Sequence, residues 1–344
     1  MLVELSENKE ESRLKKQAFI LAGILLFVIT ILPTLIVIPF AEATTNIDWE
    51  ESHEQTITED DTNQPYVAVM RSQTGEIEEV PLEKYVISVV ASEVPADFEI
   101  EAIKAQAVAA RTYIVQKLAQ STSGEYDVTD TVDHQVYKNF DELRNIWGVD
   151  YSWKMNKIMQ AVEETKGKIL TYDGKPITAA FFSTSNGYTE NAEDYWQNEI
   201  PYLKSVQSPW DEQSPKFIQQ EIFELSEVLQ KLNLGNHSAI QVSNIVKTQS
   251  NRIKEITING KTFTGREVRE LLGLRSNDFT IEQKGTHIIF TTKGFGHGVG
   301  MSQYGANGMA KEGKTYEEIV KHYYQGIDIS EVDQILQGTM SAMN

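Results

Sequence analysis

The chain has 344 residues, 31 Lys and Arg against 50 Asp and Glu for a formal net charge of −19, and no cysteine. Its 40% hydrophobic content is enough to bury a core, which excludes disorder throughout. The lack of cysteine excludes a disulfide scaffold, a thiolate nucleophile and cysteine-held metal centres, and the acidity argues against nucleic acid, whose phosphates are met by Lys and Arg.

Charge is unevenly placed. Residues 1–16 hold four Glu and four basic residues, 17–40 hold no charge, and 41–63 hold eight acids with no Lys or Arg, leaving −11 for 64–344. The 24 uncharged residues from Gln17 to Phe40 would span about 36 Å as a helix, long enough to cross a bilayer and longer than the apolar core of a cleaved signal peptide. Arg13, Lys15 and Lys16 flank its start, so the positive-inside rule puts 1–16 in the cytoplasm as a tail. Residues 41–63 then form a solvated acidic linker, 64–331 an extracytoplasmic domain, and 332–344 a C-terminal tail.

In the outer part, 65–71 predicts a strand and 81–94 a helix with Pro81 at its first position. Residues 97–118 predict a long Ala-rich helix whose apolar face runs through Ile100, Ile103, Ala107, Ala110 and Ile114. Hairpins are expected at 168–182, turning at Asp173-Gly174, and at 254–265, turning at Asn259-Gly260. Thr264 and Glu267 suit a capping box opening a helix through Leu272. A strand from 287 runs into a glycine-rich loop and a helix to 310, and 314–326 predicts a final helix stopped by Gly326. With no internal repeat, hairpins mixed with separate helices indicate an α+β fold, with room for two subdomains around a groove. Gly308 to Thr315 matches a phosphate-binding loop in letters, but no buried strand precedes it, so nucleotide chemistry is not expected.

The six His residues show no metal-binding spacing and no serine-nucleophile elbow is present, so carboxylate chemistry remains. Glu93 is the candidate. It ends one apolar helix just before the turn into the next, where the negative end of the helix dipole and desolvation both raise a carboxyl pKa and suit it to protonate a leaving oxygen. The alternative is a solvated glutamate at a helix end. Arg111 could steer a carboxylate or sugar hydroxyl, or form a structural ion pair. Residues 181–211 are dense in hydroxyls and rings, Ser185, Asn186, Tyr188 and Tyr202 among them, which suits a carbohydrate groove or a loop packed by its own aromatics. In the glycine-rich 294–306, His297, Gln303 and Tyr304 could hydrogen-bond a ligand brought close to the backbone, or the glycines could serve a tight structural loop.

Four segments, 91–113, 181–190, 201–211 and 294–310, together resemble the stage II sporulation protein D family, membrane-anchored peptidoglycan lytic transglycosylases of endospore-forming bacteria. The resemblance runs from about residue 65 to 330. It implies that Glu93 is the catalytic acid and that Arg111, Tyr202 and Lys204 line the glycan groove. It further implies cleavage of the β-1,4 bond after N-acetylmuramic acid without water, leaving 1,6-anhydro ends. Some relatives hold zinc with Cys in the region matching 131–137; only His134 is present here, so neither metal nor other cofactor is expected. Implied partners are peptidoglycan strands, a sporulation amidase/endopeptidase and a small membrane protein, at the mother-cell membrane facing the septal wall during engulfment. A non-catalytic glycan-binding scaffold and a two-carboxylate hydrolase, with Asp97 as the second acid, are the competing readings.

Overall fold

The computed structural model describes residues 65–120 and 124–333, with Phe27 and Ile335. The chain divides into 1–62 and 63–344, and the described elements belong to the second unit. Of the anchor expected at 17–40 only Phe27 is described, and the tail at 1–16 and the linker at 41–63 lie outside the described residues. Among the described residues no helix is long and apolar enough to cross a membrane.

The unit is α+β, with helices and small sheets interleaved along the chain. It opens with an antiparallel hairpin, β1 (Tyr66–Met70) and β2 (Ile77–Pro81), to which β3 (Val128–Thr129) adds in parallel beside β1. Pro81 closes β2 and caps α1 (Leu82–Glu93), consistent with a residue that lacks an N–H to place inside the first turn. Then come α2 (Ile100–Gln120), α3 (Phe140–Trp147) and α4 (Tyr151–Glu163). The predicted hairpin at 168 forms as β4 (Lys168–Tyr172) and β5 (Lys175–Pro176), with Asp173 at φ 50° and Gly174 at φ 72°, the positive pair that a two-residue hairpin turn requires. It is shorter than predicted, because 181–182 leave it as β6 (Phe181–Phe182).

After the short α5 (Ala192–Trp196), a second hydrophobic centre forms from β7 (Ile218–Glu224), α6 (Leu225–Lys231), β9 (Ile253–Ile258), β10 (Lys261–Thr264), α7 (Gly265–Leu272), β11 (Phe279–Lys284) and β12 (His287–Lys293), with the exposed β8 (Val242–Lys247) paired to β9 outside it. Its strands run β10-β9-β8 and β11-β12-β7, and the predicted capping box of Thr264 and Glu267 opens α7. The chain then returns through β13 (Met301–Ser302), parallel to β6, into α8 (Gln303–Lys311), α9 (Tyr316–Tyr323) and β14 (Asp328–Glu331), which pairs with β4.

The long helix α2 differs from its sequence expectation. A single apolar face was predicted, yet the helix is buried almost all round from Ala102 to Val115, with Gln106, Arg111 and Thr112 inside. Its alanines let α1, α4, α8, α9 and β4 approach from several sides, so it is the axis of the unit. The letters resembling a phosphate loop fall across a helix-turn-helix: Gly308 is inside α8, Lys314 pairs with Glu318 at 2.8 Å, and Thr315 caps α9.

The glycine-rich loop approaches its own chain. A Cβ on Gly294 would lie 2.8 Å from the Thr184 carbonyl, one on Gly296 would meet Phe182, and one on Gly300, at φ +80°, would strike the Ala180 carbonyl. Gly300→Ala is therefore expected to cost more than about 2 kcal/mol, backbone strain plus collision. Gly174→Ala, at a similar φ of +72° but in open space, pays only the strain, about 1–2 kcal/mol. Thermal melts of the two variants side by side check this, and equal losses would refute the collision.

Candidate active site

Glu93 is the last residue of α1, half-buried, with the following Val94 N–H donating back to the Val90 carbonyl. Its Oε1 accepts the Val136 N–H at 3.0 Å. Burial pushes the Glu93 carboxyl above its ordinary range; the Val136 donor, the polar influence of the Gln303 amide and the Lys138 charge pull the other way without cancelling it. The result is a desolvated but held carboxyl, the condition under which a glutamate can carry a proton near neutrality.

The donor at Val136 is positioned by a network around Arg71. Arg71 Nη2 donates to both carboxylate oxygens of Glu142 at 2.6 Å, its Nε lies 3.4 Å from Asp130, and its guanidinium stands 5.1 Å from the centre of the Tyr137 ring. Tyr137 stacks on Tyr85 at 5.6 Å and donates to Glu78. A planar cation with several donors thus binds the 127–142 segment to β1, which brings residue 136 to the end of α1. On the other side, α8 holds the turn after Glu93: Asn307 accepts the Glu99 N–H at 2.8 Å, and the Tyr304 ring meets Phe98 edge-on at 5.0 Å.

Of the residues expected at the site, Tyr304 meets Phe98 in the turn that follows Glu93, and Gln303 precedes it at the start of α8, facing Gln106 of α2. The others are placed elsewhere. Arg111 is fully buried: its Nε and Nη2 donate to Glu83 at 2.8 and 2.7 Å, and its remaining donors meet the carbonyls of Lys168 and Val162. This is the ion-pair alternative, and such a side chain presents nothing to a groove. Ser185 is also fully buried and donates to Asp211. Asn186 donates to the Ser250 carbonyl and to Asp278, tying its loop to the second hydrophobic centre. Tyr188 has an exposed ring, while its carbonyl accepts from the buried Arg252. The Tyr202 hydroxyl accepts the Thr178 N–H at 2.9 Å, and Lys204 pairs with Glu193 and Glu199. His297 sits among the rings of Phe182, Tyr195 and Trp196, and its Nδ1 accepts the Val299 N–H. Burial and then the charge of Arg269 push its pKa down to about 4, so it is neutral at physiological pH.

Sequence reasoning missed Val136, Lys138 and Asp211. Val136 acts through its backbone, which no side-chain motif can signal. Asp211 is buried and accepts hydroxyl bonds from Ser185 at 2.7 Å, Ser208 at 2.6 Å and Ser302 at 2.6 Å. Since Ser302 caps α8, this carboxylate holds the end of the helix that carries Gln303. Asp211→Ala removes the shared acceptor of three buried hydroxyls, leaving Ser208 to Tyr323 at 2.7 Å and Ser185 and Ser302 to longer carbonyl contacts, and is expected to cost about 3 kcal/mol in denaturant unfolding; a loss below about 1 kcal/mol would show that these remaining partners suffice.

A family described as Stage II sporulation protein matches residues 70–172, the span from β1 through β4 that contains Glu93 and Val136. Two proteins named Stage II sporulation protein D, from Bacillus amyloliquefaciens and Bacillus subtilis (strain 168), are each 48% identical over 95% of this chain and 99% of their own length. This chain belongs to the stage II sporulation protein D family. The family likeness extends beyond sporulation names: a Bacillus subtilis protein named Amidase enhancer is 30% identical over 70% of this chain and 40% of its own length.

Proposed function

We propose that the 63–344 unit is a sporulation lytic transglycosylase acting on peptide-stripped peptidoglycan strands. The observation that supports it is the Glu93 carboxyl at the end of α1, raised by burial and held by the Val136 N–H at 3.0 Å. In the first step the Glu93 proton passes to the glycosidic oxygen as the bond from C1 of N-acetylmuramic acid to that oxygen breaks. In the second, the carboxylate takes the proton of the C6 hydroxyl of the same sugar as its oxygen bonds to C1, closing the 1,6-anhydro ring and restoring the acid. No water is consumed and one carboxyl serves both steps, whereas a hydrolase needs a second carboxylate roughly 5–9.5 Å away. Residues 17–40 anchor the chain with its N-terminus in the cytoplasm, so that the unit faces the septal wall. There it works with an amidase/endopeptidase that strips the stem peptides and with a small membrane protein, thinning the septum for engulfment.

A second reading, a glycan-binding scaffold without its own chemistry, is favoured by the relative named Amidase enhancer. Incubating the protein with peptide-free glycan strands and weighing the products by mass spectrometry separates the readings. Anhydro-ended fragments, one water lighter than reducing ones, support the transglycosylase. Reducing ends indicate a hydrolase, and binding without new ends indicates the scaffold.

A further inference from the structure

Lys216, just before β7, and Arg275, just before β11, meet at one ring of the glycine-rich loop. The Lys216 Nζ lies 5.6 Å from the centre of the Phe295 ring and 5.4 Å from that of Tyr304, and the Arg275 guanidinium lies 5.0 Å from the Phe295 centre. Backbone bonds hold both segments to the loop: the Gly294 N–H donates to the Phe217 carbonyl at 2.7 Å and the Gly296 N–H to the Arg275 carbonyl at 2.9 Å. Neither side chain makes a hydrogen bond or an ion pair among the described residues. Carboxylates are plentiful in a chain of net charge −19, yet none is placed to neutralise this pair. Glu221 feels the Arg275 charge without forming an ion pair with it. Burial and then the charge of Arg275 push the Lys216 ammonium below its ordinary range, a repulsion that a shared anion would relieve.

The pair borders the candidate active site. The Tyr304 ring that Lys216 faces also meets Phe98 at 5.0 Å, in the turn that follows Glu93. Half-buried rings beside two cations suit a ligand that has an apolar face to stack and a carboxylate to pair. We propose that Lys216 and Arg275 form a carboxylate subsite for the lactyl group of N-acetylmuramic acid once its stem peptide has been removed. This rests on the transglycosylase reading of Glu93 and names what makes that reaction selective for stripped strands. Hydrolysis of the amide between the lactyl carbonyl and the peptide adds water across that bond and leaves a carboxylate on the sugar. Before it, the same carbon carries an uncharged amide. The cations therefore tell the two strands apart by charge, and an unstripped muramic acid leaves them without a counter-ion.

The test compares stripped glycan strands with the same strands after their lactyl carboxylates are converted to methylamides, using binding to the full-length protein. The wild type is expected to bind the carboxylate strands about tenfold more tightly, a preference that shrinks as salt is raised. Lys216→Gln and Arg275→Gln should each reduce that preference, the double variant should abolish it, and Lys216→Arg should keep it. In assays of anhydro-end release the losses should appear in KM. Thermal melts show which variants fold, and if Arg275→Gln does not, Lys216→Gln and Lys216→Arg decide the matter. Equal binding of the two strands by the wild type would overturn the subsite. So would variants that lose affinity equally for both strands, which would make the pair a support for the loop. If the wild type releases no anhydro ends, the transglycosylase reading falls while the binding preference still reports on Lys216 and Arg275.

Discussion

Glu93→Gln is expected to lower release of anhydro-ended fragments by about 10²–10⁴-fold while leaving glycan binding intact, because glutamine keeps the shape of the side chain but has no proton to give the leaving oxygen. The same substitution should make the protein more stable at alkaline pH. The folded-state pKa of Glu93 is raised by burial, so its contribution to stability is fully present below its unfolded value of about 4.3 and is lost as pH rises through the folded pKa. Above the folded pKa the wild type holds an ionised carboxylate in a desolvated place, and the neutral amide avoids that cost. Melts of wild type and Glu93→Gln across pH 4–8 should show the variant ahead at the alkaline end and the gap narrowing as pH falls. A variant that releases anhydro ends at the wild-type rate would remove Glu93 from the chemistry. One less stable than the wild type at pH 8 would mean that the hydrogen bond from Val136 outweighs desolvation.

Arg111→Ala is expected to destabilise the unit by about 3–5 kcal/mol, since removing one partner of a buried pair takes away the charge that offsets the desolvation of the other. Arg111 is 0% exposed, and Glu83, which loses its bidentate contact in the variant, lies on α1 with the catalytic candidate at its far end. The guanidinium also caps carbonyls at Val162 in α4 and Lys168 in β4, so four elements loosen at once. At roughly 2–4 °C per kcal/mol for a unit of this size, the melting temperature should fall by roughly 10 °C. Arg111→Lys should fail to restore it, because an ammonium cannot match the bidentate contact. The Arg111→Ala, Glu83→Ala double variant should lose much less than the two single losses added together. A glycan-binding arginine would behave oppositely, with an unchanged melt and a raised KM, and that outcome would restore the groove role implied by the resemblance.

Much of the framework is legible in the residues. Asp173-Gly174 and Asn259-Gly260 mark hairpins because few residues other than glycine and short polar ones tolerate two successive positive φ angles, and both turns form where predicted. The capping box at Thr264 and Glu267 is equally local, and so is one at Asn139 and Glu142 that opens α3 and that sequence reasoning passed over. The motifs at 91–113 and 294–310 place Glu93 and Gln303 at element ends, which local signals make visible.

The partners of side chains are not visible in this way. A buried arginine and a ligand-binding arginine are the same letter; Arg111 became a structural pin because Glu83 lies across from it on α1, a choice made by how α1 packs on α2. Ser185 and Asn186 looked like a sugar-binding rim, and packing spends them on Asp211 and Asp278, 26 and 92 residues away. Sequence by itself determined the α+β class, the hairpin turns, the uneven placing of the −19 charge and the position of Glu93 at a helix end. Those follow from local backbone preference and composition. Only the tertiary structure decided which donor reaches Glu93 and which polar residues are structural. Burial and hydrogen-bond partners are set by elements that meet from distant parts of the chain.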